Sequence, residues 1–206
     1  MKNVLEIPEQ QTPHFTLPRH TITWKQDLTS LKQSFSKEDL EEFLALYSLV
    51  ESQPKRALKR ALLFRQKHPD HPAVLNLLSY LYLVRKNILK GNHLIRENYA
   101  KNPDNIFAKI NYADLCIRKK RYDEVPKVFN QKFNLPSLYP NKKMFHISEF
   151  RGFMTVMGHY YLGCGNPDAA ECCLYLLTRV APKHPANEIL KKKIYYKPFY
   201  KKLFFK

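Results

Sequence analysis

His68-Pro69-Asp70-His71 and Asn102-Pro103-Asp104-Asn105 place one kind of turn twice in the chain, with 34 residues from Pro69 to Pro103. Each turn closes one stretch of helical patterning and opens another. A third relative, Ala181-Pro182-Lys183-His184, follows 79 residues after Pro103, which is two periods plus 11. Recurrence at this interval marks stacked helical units, because such a unit cannot bury its apolar face alone and needs a neighbour to cover it.

Outward from these turns, helix signals run from about residue 38 to about residue 190. Ser36 can accept a hydrogen bond from the amide of Asp39, just ahead of the apolar Leu40, Phe43, Leu44 and Tyr47, the signature of a capped helix start. After Pro54, residues Ala57, Leu58, Ala61, Leu62 and Phe64 recur at helical spacing. Lys55, Arg56, Lys59, Arg60 and Lys67 fill the remaining faces. The same spacing predicts helices over about 72–85, 88–101, 106–119, 122–133, 147–163 and 167–181, and from about 185. Residues 134–143 contain Pro136 and Pro140 and read as an inserted connection, which accounts for the 11 extra residues. Residues 1–25, with Pro8, Pro13, Pro18 and the β-branched Thr21-Ile22-Thr23, are expected to be extended or irregular and to lie along the array.

These units resemble the tetratricopeptide repeat, whose 34-residue pattern is W-x2-L-G-x2-Y, then A-x3-F, then P. Residues 151–184 match best, through Met154, Met157-Gly158, Tyr161, Ala170, Leu174 and Pro182. In 72–105 the series is Leu75, Leu78-Ser79, Tyr82, Gly91, Ile95 and Pro103. In 106–139 it is Tyr112-Ala113, Cys116, Tyr122, Val125 and Phe129, with Ser137 where a proline is expected. In 38–71, Ala45, Ala57, Ala61, Phe64 and Pro69 remain. Small residues recur in register (Ala45, Ser79, Ala113, Gly158), where two helices must cross closely.

The resemblance implies an all-α fold: a right-handed α-solenoid of helix-turn-helix repeats with an N-terminal extension and a C-terminal capping helix. The expected divisions are an extension over 1–37, repeats over 38–71, 72–105, 106–139 and 151–184 with an insert at 140–150, and a cap with a basic aromatic tail over 185–206.

Charge adds a second constraint. The chain carries 35 basic and 18 acidic residues, a net charge of +17. The last 22 residues hold seven basic side chains against one acid. Such an excess concentrates anionic partners: nucleic acid, acidic lipid or an acidic protein. Four cysteines without C-x-x-C pairing read as small buried hydrophobes of a reducing compartment, and no zinc-finger spacing occurs. The first residues have no apolar signal region, and Leu77–Val84 is too short to span a bilayer. A cytoplasmic protein is expected, with peripheral membrane association open to it.

What the resemblance implies about function is a groove lined by the first helix of each unit, which holds a segment of a partner protein. Its register selects Asn76, Tyr80, Leu83, Phe107, Ile110, Asp114, Arg118, Thr155 and His159. The subtype that clamps the carboxylate of chaperone tails uses basic residues where this chain has Glu42, Leu46, Asn76 and Tyr80, so that role is not expected. No phosphate-binding glycine loop, nucleophile elbow or zinc-binding helix motif occurs, which points away from catalysis and from a cofactor or resident metal. The leading expectation is a non-catalytic adaptor. The alternative is a basic repeat protein binding RNA or an anionic membrane through Lys191, Lys192, Lys193, Lys197, Lys201 and Lys202, interleaved with aromatics. A secretion chaperone of the same repeat type ranks third, since hydrophobic clients do not call for so basic a chain.

Overall fold

A computed structural model describes residues 4–196. They form two compact units, residues 26–115 and residues 4–25 with 116–196.

The first unit is a succession of helical hairpins: α1 (Thr29–Ser34), α2 (Lys37–Ser52), α3 (Pro54–Lys67), α4 (Pro72–Val84), α5 (Ile88–Lys101) and the larger part of α6 (Ile106–Arg118). Proline sets the beginnings. Pro54 and Pro72 stand in the first turns of α3 and α4, where a missing amide hydrogen leaves no bond unmade. Ser36 accepts from the Asp39 amide at 3.0 Å, and Asn105 accepts from the amides of Phe107 and Ala108, both at 3.1 Å. Consecutive helices pack on one another from α2 to α5. Between them Phe43, Leu46, Phe64, Leu75, Leu78 and Leu81 are fully buried. Phe35 closes the α2–α3 end, with its ring 5.2 Å from Phe43 and 5.4 Å from Phe64.

The small positions do what the pattern asks of them at Ala57, Ala61 and Ser79, all buried. A Cβ at Gly91 would lie 2.8 Å from the Leu83 side chain. Ala45 is an exception. It is exposed, as are Leu44 and Tyr47, because α2 packs on α3 and is covered only slightly by the short α1.

The second unit begins with strands that helical patterning does not announce: β1 (Val4–Ile7), β2 (Gln10–Gln11), β3 (Thr16–Leu17) and β4 (His20–Thr23). β1 pairs antiparallel with β4, and β2 with β3. β4 also pairs in parallel with β5 (Phe145–His146), so the insert supplies a sheet edge. The helical remainder is α7 (Glu124–Val128), α8 (Leu135–Leu138), α9 (Ile147–Gly163), α10 (Pro167–Val180) and α11 (Pro185–Tyr195). Of the two expected forms, extended or irregular, the N-terminal segment takes the extended one, in paired strands. Ile22 is fully buried, His20 meets Phe150 edge-on at 5.4 Å, and Phe15 stacks on Tyr161 at 5.7 Å.

A helix over 122–133 is not formed. α7 has one turn, and Asn130 and Gln131 then adopt φ of 52° and 59°, a left-handed geometry that ends a helix. Gly158 on α9 explains the best-matching motif. A Cβ there would come within 2.6 Å of Leu190 on α11 and 3.4 Å of Cys173 on α10. α11 thus caps α9 and α10, with Leu190 fully buried.

Candidate functional site

The turn at residues 68–71 and the start of α4 build the best-defined polar feature of the first unit. The His71 ring nitrogen accepts from the Ala73 amide at 3.3 Å, which fixes the start of α4. One turn on stands Asn76. Its side-chain oxygen accepts from Asn98 at 2.8 Å and from Asn111 at 2.9 Å. Asn98, on α5, also donates to the Pro72 carbonyl at 3.2 Å and is only 1% exposed. Asn102 donates to the Asn98 oxygen at 3.0 Å and to the Asp70 carbonyl at 2.9 Å. Four amides thereby tie the Pro-Asp turn to α4, α5 and α6. The buried Asn98 amide must be satisfied, and the half-buried Asn76 and Asn102 satisfy it, so the row holds the helices in one register. Beside it the rings of Tyr99 and Tyr112 stack at 4.4 Å.

The sequence-selected groove residues fall in different settings. Asn76 is half-buried in the amide row, and Tyr80, one turn beyond, is 51% exposed. Leu83 and Phe107 are half-buried. Ile110 is buried and belongs to the core, so it offers a partner no surface. Asp114 is half-buried and engaged within the chain. In the other unit, Arg118 is exposed and engaged, and His159 is half-buried and engaged. Thr155 is half-buried on α9 with its hydroxyl oxygen buried and unbonded. Asn98, Asn102 and Asn111 were not selected from sequence. Their spacing has no period of its own, and their importance lies in contacts between helices.

Lys191, Lys192 and Lys193 are exposed on α11, where cations near a helix C-terminus complement the backbone dipole. Lys197, Lys201 and Lys202 lie outside the described residues. His68 and His71 serve the turn. His68 lies 3.1 Å from an Asp39 oxygen, and Lys67 and His68 together hold the Asp39 carboxyl below its usual range. Burial and the neighbouring His68 push the His71 pKa down. Among the described residues no cluster of histidine, cysteine, aspartate or glutamate is placed to hold a metal ion, and no helix is long and apolar enough to cross a membrane.

A second surface feature of the first unit lies between α3 and α5. A depression of about 370 Å³ is lined by Leu62, Arg65, Tyr82, Leu89, Lys90 and Leu94, with His93 beside them. Arg65, one of its lining residues, pairs with Glu97 at 2.5 Å, and the Lys90 ammonium sits 5.6 Å from the centre of the Tyr82 ring.

No protein-family model matches the sequence, and no curated protein matches it. Solved structures do. A tetratricopeptide repeat protein from Parabacteroides merdae ATCC 43184 aligns with a TM-score of 0.51 at 18% identity, over 81% of this chain and 61% of that one. The chain therefore spans less than two thirds of that protein's length. A MamA RS-1 double mutant aligns at a TM-score of 0.48 and 10% identity, over 77% of this chain and 93% of that one. At these identities the likeness is one of fold. Helical hairpins opened by proline, small residues at their crossings and the alignment with the Parabacteroides protein agree: this chain has the all-α fold of tetratricopeptide-repeat proteins.

Proposed function

We propose that the protein is a non-catalytic adaptor that holds a segment of a partner protein along the first helices of its hairpins. Folds of this type generally mediate protein–protein interaction. The observation that carries the reading is the amide row Asn76–Asn98–Asn111 with Tyr80 exposed one turn further on. A row locked by its own hydrogen bonds presents the α4 face without an ordering cost on binding, and an exposed tyrosine offers a large, stiff contact. The mixture of apolar, amide and acidic groups suits a peptide and contains no nucleophile paired with a base.

Affinity purification with mass spectrometry, beside a nuclease-treated control, identifies the partner. Tyr80→Ala combined with Asp114→Asn should weaken its retention by about tenfold or more, as loss of an anchoring aromatic does. Undiminished retention removes the groove assignment. The exposed Lys191, Lys192 and Lys193 favour a second reading, an RNA or anionic membrane partner bound at the C-terminal end. That reading requires affinity to fall steeply with salt and partners to vanish after nuclease or on removal of anionic lipid.

A further inference from the structure

We propose that the groove between α3 and α5 is a separate docking surface for an acidic, amphipathic helical segment of a partner protein. It lies on the second helices of the hairpins, and it stands whether or not the α4 face binds a peptide.

Three observations meet there. The first is apolar exposure. Leu89, 84% exposed, and Leu62, 39% exposed, line the recess together with Tyr82 and the buried Leu94, and their chain neighbours Ile88 and Leu63 are exposed at 48% and 56%. Grouped apolar surface of this kind on an otherwise charged helix pair marks an interaction site.

The second is charge. α3 carries six basic side chains and no acid. α5 carries three basic side chains and one acid, Glu97, which is already shared between Arg65 and Lys101. The connecting residues add Arg85 and Lys86. Lys59, Lys86, Lys90 and Arg96 have no acidic partner among the described residues. An acidic partner complements these cations.

The third is shape. A recess with an apolar floor and cations at its rim accepts side chains spaced i, i+3 and i+4 on a helix. A bilayer is instead met by apolar side chains that project as a continuous face.

The test starts from a phage-displayed library of random peptides of about sixteen residues, long enough for four helical turns, selected on the full chain. Enriched peptides should be net acidic with apolar residues at i, i+3 and i+4. As synthetic peptides they should bind about tenfold or more weakly to the Leu89→Asp, Lys90→Glu variant. They should bind Tyr80→Ala unchanged. Both altered residues of the first variant are exposed, and its circular dichroism and thermal unfolding should match the parent. Peptides without acidic bias, or peptides indifferent to the Leu89 and Lys90 changes, overturn the proposal. Peptides lost with Tyr80→Ala place the binding on α4 instead and overturn it too. Phosphatidylserine vesicles that bind through Leu89 and Lys90 while no peptide does would assign the surface to lipid and reject a protein segment.

Discussion

The α4–α5 and α9–α10 hairpins start from the same local instructions and end in different surroundings. Both have proline in the first turn of one helix, Pro72 of α4 and Pro167 of α10, and both place a small residue where helices cross, Ser79 and Gly158. α9 and α10 are covered by the chain's own remote segments: β4 and Phe15 from the N-terminal residues, and α11 from the C-terminal ones. Among the described residues α5 receives no such cover, and Leu89 and Lys90 are exposed. The motif specifies a hairpin, and coverage decides which of its faces is left for a partner.

The sharpest way to break this contrast is to remove residues 1–25. That uncovers the surface now closed by Ile7, Leu17 and Ile22, all buried, and at about 1.5–3 kcal/mol for each buried aliphatic side chain the second unit should lose roughly 4.5–9 kcal/mol. Hydrogen exchange should show α9 amides losing protection while α4 amides keep theirs. Unchanged protection in α9 would mean that the strands do not stabilise it.

A middle-sized effect separates two buried asparagines. Asn98 joins α4 and α5 through two donated bonds and one accepted bond. Asn187, also buried, donates to the Ala181 carbonyl at 2.7 Å while its side-chain oxygen has no partner. Asn98→Ala should cost about 2–3 kcal/mol in denaturant unfolding and Asn187→Ala about 1 kcal/mol. Equal losses would remove the special role given to the amide row.

The smallest expected effect is on pH dependence. Burial pushes the His20 pKa down, against the opposing hydrogen bond from its ring to the Pro18 carbonyl at 2.6 Å. With the folded value below the ordinary 6.5, the unfolded chain takes up more protons, so stability holds above that pH and falls as pH drops below it. The melting temperature should therefore decline from pH 7 to pH 5, and His20→Gln should flatten that decline. A variant as acid-sensitive as the parent would assign the loss to the other depressed histidines, His71 and His184.

Legibility in the sequence follows from how local each interaction is. The expected spans 88–101 and 147–163 coincide with α5 and α9, and that of 72–85 with α4 to within a residue, because proline, caps and helical spacing act within a few residues. The expected helix over 122–133 shrank to one turn, since nothing in the apolar spacing forecasts left-handed backbone at Asn130 and Gln131. The extended backbone of the N-terminal segment was legible in β-branched Thr21-Ile22-Thr23, but the strand pairing was not, because Val4–Ile7 and His20–Thr23 are short and find their partners across the chain. Of the expected groove residues, Tyr80 is a surface residue and Ile110 is core, a distinction that helical register leaves open.

Residue order alone carries the recurring Pro-Asp turn, and with it the helical hairpins and the basic excess, because turn stereochemistry, helix spacing and net charge need no distant partner. Packing settled the rest: that the N-terminal residues form strands over α9, that four asparagines from α4, α5 with its C-terminal cap, and α6 share one hydrogen-bonded row, and that Leu89 and Lys90 stay uncovered among the described residues. Each of these depends on contacts between residues far apart in sequence, where burial is fixed by what the folded chain brings alongside.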